Sequence, residues 1–189
     1  MSLVELIEQA DERGLAASGL ACLDRCLPLL GGDDELLRPL WAGLADGSDW
    51  GGGLDKARDA LGTAPPAEDE AARLARRMLD AAPAGRTAEA VRPWADACSV
   101  ASLRIHRLLD PAADGTAGDD RLDAGRAGDT EGLPPLVAAE LRRQITVLEL
   151  LAGHGAHGLR QALDVSVEGR RVLRAVVSRR ARVAAESRA

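Results

Sequence analysis

Histidine and cysteine are the first candidates for chemistry, because both side chains bind metals and can take part in catalysis. His154 and His157 lie three residues apart in a glycine-rich stretch, and His106 is the third histidine of the chain. A zinc site needs three or four converging nitrogen, sulfur or oxygen ligands. Cys22 and Cys26 share one helical face, but no spacing ties them to the histidines. We therefore predict no metal site, and we expect all three cysteines to be reduced, buried packing residues.

The glycine-rich stretch from Asp46 to Gly53 is a second candidate. Its composition suggests a calcium loop or a phosphate cradle, but it lacks the alternating oxygen ligands and the closing Glu of a calcium loop. Lys56 does not directly follow a glycine, as the lysine of a phosphate-binding loop does. We therefore expect a solvent-exposed turn, in which Trp50 either anchors a partner protein or folds back to cap the core.

Nucleophilic catalysis has little support in the sequence. No Gly-x-Ser-x-Gly segment is present, and Ser, Cys and His are too sparse to nominate a triad. Pairs of neighbouring carboxylates, such as Asp33 with Asp34, fall between helical patterns, where we expect them to be solvated charges. We predict a non-enzymatic protein with no catalytic residues and no cofactor.

The basic end of the chain is the most informative segment. From Leu159 onward, eight Arg stand against three acidic residues, a balance of +5, which leaves −11 for residues 1–158. Arginine clusters bind phosphates, bases and carboxylates. We expect this end to contact nucleic acid, an acidic partner or the acidic body of the same chain. The residues predicted to make this contact are Arg170, Arg171, Arg174, Arg179 and Arg180.

Residues 145–180 resemble the helix-turn-helix end of LuxR-type regulators and the last region of sigma factors. The segments that carry the resemblance are Val147–Ala152, Leu159–Ser166 and Arg170–Arg174. The resemblance implies a turn at Asp164–Ser166 and a recognition helix from Val167 to Arg180 that enters the major groove of DNA. Two other interpretations remain: an ordinary helix whose Val and Leu residues pack inward, and a short β-hairpin.

Apolar residues at spacings of three and four predict helices along most of the chain. Ser2 and Glu5 form a capping-box pattern at the first helix, which we expect Gly14 to end. We expect Pro28 to kink the second helix. The clearest stripes are Leu37, Leu40, Trp41 and Leu44 in one helix, Val91, Trp94, Cys98, Ala101, Ile105 and Leu108 in another, and Leu136, Val137, Leu141, Ile145, Leu148 and Ala152 in a third that breaks at Gly153–Gly155.

Composition supports an all-α fold with three parts. The chain has no Phe or Tyr and is rich in Ala and Leu, which favours helices over strands. Residues 110–132 are rich in Gly and Asp, so we predict a flexible, disordered acidic linker there. It would join an acidic helical bundle at 1–109 to a C-terminal helical unit at 133–189, whose last helix is basic.

Location and function follow as expectations from the same features. No apolar run approaches the roughly 20 residues that span a bilayer, and the acidic N-terminus lacks the pattern of a secretory signal. We therefore expect a cytoplasmic protein, and the Arg-rich, Lys-poor composition suggests a bacterial one. The expected function is that of a regulatory or protein-interaction protein that acts through helical surfaces and could form a homodimer. The alternative is a DNA-binding transcriptional regulator that uses the C-terminal segment.

Overall fold

A computed structural model of the chain describes residues 1–62, 69–112 and 118–186. Across these ranges every regular element is a helix and none is a strand, so the predicted all-α class is confirmed. No helix within them combines the length and the apolar character needed to cross a bilayer. The helices are α1 (Leu3–Gln9), α2 (Glu12–Cys26) with a 3-10 turn (Leu27–Leu29), α3 (Arg38–Asp46), α4 (Trp50–Leu61), α5 (Glu70–Asp80), α6 (Ala88–Leu109), α7 (Asp119–Arg126) and α8 (Pro135–Glu186).

The predicted capping box at the N-terminus is confirmed. The Ser2 backbone N–H donates to Glu5 Oε2 at 2.7 Å, and the Glu5 N–H donates to Ser2 Oγ at 3.3 Å. The prediction that Gly14 ends this helix is wrong, because Asp11 caps a new helix by accepting from the Gly14 N–H at 2.7 Å. An aspartate ahead of a glycine thus starts α2, and Gly14 lies in its first turn.

Helix α2 forms the centre of the bundle. Nearly all of its residues are buried, and it packs on α6 and on α8. Its small residues allow these helices to approach closely: an ideal Cβ placed on Gly19 would lie 2.5 Å from the Trp94 ring of α6. The predicted kink at Pro28 takes the form of the 3-10 turn that follows α2.

Helix α8 is a hairpin of two arms. Within this described helix the backbone is non-helical at Gly155, at φ 52° and ψ −125°, so the predicted break at Gly153–Gly155 is confirmed. A Cβ on Gly158 would overlap the carbonyl oxygen of Leu150, and a Cβ on Gly169 would lie 3.0 Å from Arg143 Cδ. The arms therefore run antiparallel and in contact. We call residues 135–154 the first arm and residues 156–186 the second arm.

The turn that the helix-turn-helix resemblance implies is not formed at the expected place. Residues 164–166 are helical and lie inside the second arm. Ser166 caps no recognition helix, because its buried hydroxyl donates to the carbonyl of Ala162 at 2.8 Å. The prediction of a turn at these residues is wrong, and the helical alternative describes the segment.

The prediction of a disordered linker is wrong for residues 118–132. They contain α7, which packs on α6 and buries Leu122 and Arg126. Asp110, at the start of the predicted linker, accepts from the Leu136 N–H at 2.7 Å and so caps the first arm. Residues 113–117 of the predicted linker lie outside the described ranges. Both arms of α8 share a hydrophobic core with the N-terminal helices.

Candidate functional site

The predicted arginine contacts are partly internal. Arg170 is buried, and its Nη1 donates to Asp24 Oδ1 at 2.8 Å and to the Asp34 carbonyl at 3.1 Å. Arg174 pairs with the carboxylate of Asp34. These two arginines fasten the second arm to the acidic body of the same chain, so Arg170 is not presented at the surface as a nucleic-acid contact.

The other three predicted arginines lie at the surface. Arg171 and Arg179 are exposed. Arg180 is also exposed, and its Nη1 donates to the carbonyl of Leu108 at 2.8 Å, at the end of α6. The predicted cluster is therefore divided between Arg170 and Arg174, which bond to the acidic body, and Arg171, Arg179 and Arg180, which lie at the surface.

Asp24 is the buried hydrogen-bond acceptor that Arg170 contacts. Besides Arg170, it accepts from the indole N–H of Trp41 at 2.9 Å. Burial raises the pKa of Asp24, and the Arg170 guanidinium opposes this rise. The exposed Asp34 differs, since its hydrogen bond from Arg174 lowers its pKa.

The prediction of Trp50 as an exposed partner anchor is wrong. Trp50 is buried, its indole N–H donates to the Pro83 carbonyl at 2.9 Å, and its ring meets Trp94 edge-on at a centroid distance of 6.0 Å. The surrounding stretch is not an open turn either. Asp49 accepts from the Gly52 N–H at 3.0 Å and caps α4, so Trp50 begins a helix and folds back on the core.

The cysteines have the packing role expected for them. All three are buried and free. Burial raises the pKa of Cys22 to about 12, which disfavours the reactive thiolate. His154 and His157 are exposed near the corner of α8. Within the described ranges, no three His, Cys, Asp or Glu side chains are grouped so that they could hold a metal ion.

A buried ion pair between α2 and the first arm forms the densest polar cluster. Arg25 and Glu140 are each 0% exposed. The Arg25 Nε donates to Glu140 Oε2 at 2.8 Å, and its Nη2 donates to Glu140 Oε1 at 2.7 Å. Gly169 of the second arm covers the Arg25 side chain, because a Cβ there would overlap Arg25 Cδ. This bidentate pair therefore lies between α2 and both arms of α8.

Further hydrogen bonds extend the pair to α6 and α7. Glu140 Oε1 also accepts from Ser102 Oγ at 2.8 Å and from Gln144 Nε2 at 2.9 Å. Gln144 Oε1 in turn accepts from Ser99 Oγ at 2.7 Å, and Arg126 Nε donates to the same hydroxyl at 3.2 Å. Four helices are thus connected through a network that we call the central network. Its members are Arg25, Ser99, Ser102, His106, Arg126, Glu140 and Gln144.

The charges of the central network compensate one another. Burial alone would raise the pKa of Glu140, but the Arg25 guanidinium and the hydrogen bonds from Arg25 and Gln144 hold it at about 2. Burial alone would lower the pKa of Arg25, but the neighbouring Glu140 carboxylate raises the pKa of Arg25 above its ordinary value. Because these side chains are sealed from solvent, the network positions helices and does not present its charges to a ligand.

His106 lies at the edge of the pair. Its Nδ1 is 2.8 Å from the Ser102 carbonyl, which requires a proton on Nδ1, and its Nε2 is 3.6 Å from Glu140 Oε2. Burial lowers the pKa of His106, and the nearby Glu140 opposes this. A neutral ring protonated on Nδ1 agrees with both observations.

We expect the stability of the protein to fall as pH is lowered from 7.5 to 5.5. The unfolded chain binds a proton on His106 near pH 6.5, whereas the folded chain resists it, so acidification favours unfolding by up to about 1.4 kcal/mol per pH unit. Urea denaturation across this range should show a shallower slope for His106→Gln. His154→Gln, which alters an exposed imidazole, is the control and should keep the wild-type slope. Stability that rises on acidification would show that His106 is charged in the fold.

The sequence held signals for the central network that were missed. Glu140 and Gln144 fall at helical spacing among Val137, Leu141 and Leu148, on the apolar stripe of the first arm. A carboxylate and an amide on such a stripe indicate a buried polar contact. Arg25 similarly follows Cys22 by three residues on a mostly apolar helix.

The fold and this site define an all-α bundle that is organised by buried ion pairs. Comparison of the chain with models of protein families, with curated proteins and with solved structures found no match.

Proposed function

We propose that this chain is a non-enzymatic, regulatory interaction protein that binds an acidic segment of a partner protein with the exposed end of the second arm. The observation that carries the proposal is an apolar groove with a basic rim at this end. It has a volume of about 230 Å³, and its rim is formed by Arg179 and Arg180. Its apolar lining consists of Leu108, Leu109, Pro111 and Val176.

The length of the second arm explains why this end is exposed. The contacts of Gly169 with Arg143 and of Gly158 with Leu150 set the register of the hairpin. In this register the first arm begins opposite the region of Val176. Residues 178–186 continue beyond that point, and all of them are exposed. They carry three Arg and one Glu, so the projecting end has a net charge of +2.

The groove and its rim suit a peptide that combines apolar and acidic side chains. Amphipathic segments bind by placing apolar side chains in a groove, and basic rims then pair with their carboxylates. Asp110 also lines the groove, but its carboxylate accepts from the Leu136 N–H and is directed to the first arm. The arginines therefore dominate the charge at the rim.

DNA binding is the competing function at the same surface. Duplex DNA carries one negative charge per about 1.7 Å, and its attraction requires several basic contacts. Arg170 and Arg174 are engaged with Asp24 and Asp34, which reduces the number of arginines available. The net charge of −6 also repels duplex DNA more strongly than it repels a peptide with few carboxylates.

Binding of two probes by the full chain tests the proposal. The first probe is a fluorescein-labelled peptide with leucines at helical spacing and glutamates between them, and the second is random duplex DNA. We expect the peptide to bind, and Arg179→Gln/Arg180→Gln to weaken its binding about tenfold, equivalent to about 1.4 kcal/mol. Fluorescence anisotropy at low and moderate salt measures the binding of both probes to the wild type and to the variant.

A control variant separates the local surface from net charge. Arg13→Gln/Lys56→Gln removes the same charge at exposed positions elsewhere and should bind the peptide like the wild type. Salt-sensitive binding of DNA in preference to the peptide would favour the DNA-binding function. Failure to bind either probe at low salt would overturn the proposal that an acidic partner binds at this surface.

A further inference from the structure

The two arms of α8 are joined by one residue of non-helical backbone. Within Pro135–Glu186, a described span of 52 residues, only Gly155 has non-helical angles. Connections between antiparallel helices usually take two to five residues. A change of φ and ψ at Gly155 alone would therefore turn the hairpin into one straight helix about 78 Å long.

The corner of this hairpin is open to solvent at the residues whose burial the structure describes. Residues 152–155 are exposed, and an ideal Cβ on Gly153 or Gly155 would meet no atom within 4 Å. The backbone at the corner departs from helical angles at Gly155, where φ is 52° and ψ is −125°. Gly158 passes so close to the other arm that a Cβ there would lie 2.3 Å from the Leu150 carbonyl oxygen. Straightening would give Gly155 helical angles and separate Gly158 from Leu150.

The contacts that hold the second arm lie away from the corner. Its buried face consists of Leu159, Ala162, Ser166, Gly169, Arg170 and Leu173. This face is specific for one surface, because Arg170 fits the buried Asp24 carboxylate and Gly169 fits the Arg25 side chain. A second copy of this chain presents the same Asp24 and Arg25. The contacts can therefore form between two copies as well as within one.

We propose that two copies of this chain exchange their second arms by straightening at Gly155. Each arm then packs on α2 of the other copy, with the same pair between Arg170 and Asp24 and the same cover of Arg25 by Gly169. The two contacts are equivalent, as in a closed dimer with twofold symmetry. The end at 178–186 moves with each arm, so Arg180 meets Leu108 of the other copy and the exchanged dimer carries two basic ends. The inference does not depend on what those ends bind.

Glycine substitutions test the exchange because they act on the closed corner and not on the straight helix. Gly155→Ala places a Cβ on a residue at φ 52°, where side chains are strained. Gly158→Ala places a Cβ on the Leu150 carbonyl. In a straight helix both alanines are favourable. We expect each variant to raise the dimer fraction at least tenfold over the wild type, as measured by size-exclusion chromatography with light scattering.

Gly153→Ala is the matched control, since Gly153 is helical, exposed and clear of neighbours in the closed form. It should leave the dimer fraction at the wild-type value. Gly155→Ala and Gly158→Ala chains that keep native helix content by circular dichroism and stay monomeric would overturn the proposal.

Mixing of the wild-type chain with a tagged copy distinguishes arm exchange from a surface dimer, and it does not depend on how the variants fold. Arm exchange requires the second arm to leave α2, so mixed dimers should form after joint unfolding and refolding from urea. They should not form during brief mixing under native conditions. Capture on the tag measures the mixed species. Rapid native mixing, or no mixed species after refolding, would contradict the exchange.

Discussion

Replacement of Glu140 by Gln should lower the free energy of unfolding by about 3–5 kcal/mol. The substitution keeps the size of the side chain but leaves the fully buried Arg25 without a counter-charge. Removing one partner of a buried ion pair has this cost because the remaining charge is neither hydrated nor paired. Urea denaturation at neutral pH measures the loss. The control is Glu35→Gln, which breaks the exposed pair with Arg38 and should cost less than about 1 kcal/mol.

A double substitution tests whether charge compensation is the reason for this loss. Arg25→Met with Glu140→Leu replaces the pair by apolar side chains, which in other proteins is often neutral or stabilising. We expect the double variant to be clearly more stable than Glu140→Gln, although Ser102 and Gln144 lose an acceptor. A double variant as unstable as the single one would show that the hydrogen bonds, and not the charge, dominate the energetics of the network.

Local signals in the sequence predicted much of the helical structure. The pairing of Ser2 with Glu5 depends on residues three apart, so its geometry follows from the helix itself. The stripe of Val91, Trp94 and Cys98 likewise reports one face of α6, and these residues are buried. Apolar periodicity of this kind depends on the chain within a few turns and can be read without knowing the fold.

The contacts of the arginines could not be predicted in this way. Arg170 bonds to Asp24, which lies 146 residues earlier in the chain. Its sequence neighbourhood is that of an exposed, basic helix, and only the docking of the second arm on α2 makes it buried. The division of charge between the basic end and the acidic body was the available signal. It indicated attraction between them, and the bonds from Arg170 and Arg174 to Asp24 and Asp34 are of this kind.

Composition was misleading where one buried residue outweighs many polar neighbours. Residues 118–132 have the glycine and aspartate content of a linker, yet Arg126 reaches Ser99 Oγ and the carboxylate of Asp96 and ties α7 to α6. Of the two alternatives for Trp50, the partner anchor is wrong and the fold-back on the core is confirmed. Three glycines follow Trp50, but the Asp49 cap starts a helix there and the indole finds Pro83 and Trp94. Helix caps and hydrogen-bond acceptors far away in the sequence therefore determined the structure of these segments.

Replacement of Gly19 by Ala should destabilise the protein by about 2 kcal/mol. The new Cβ would lie 2.5–2.9 Å from three atoms of the Trp94 ring. The ring cannot move aside easily, because its N–H donates to the Met78 carbonyl at 2.8 Å and Trp50 packs against it. Overpacking of a core costs about 1–3 kcal/mol, and we expect the upper part of this range here. The higher helix propensity of Ala returns about 1 kcal/mol.

Gly153→Ala separates these two contributions. It makes the same substitution at an exposed helical position with no neighbour within 4 Å, so only the propensity term remains and the variant should be up to about 1 kcal/mol more stable. Thermal or urea denaturation of both variants measures the difference, which should be about 3 kcal/mol. Equal stabilities would mean that α2 and α6 separate at little cost to admit the methyl group. In that case the close contact of Gly19 with Trp94 would not fix the spacing of the two central helices.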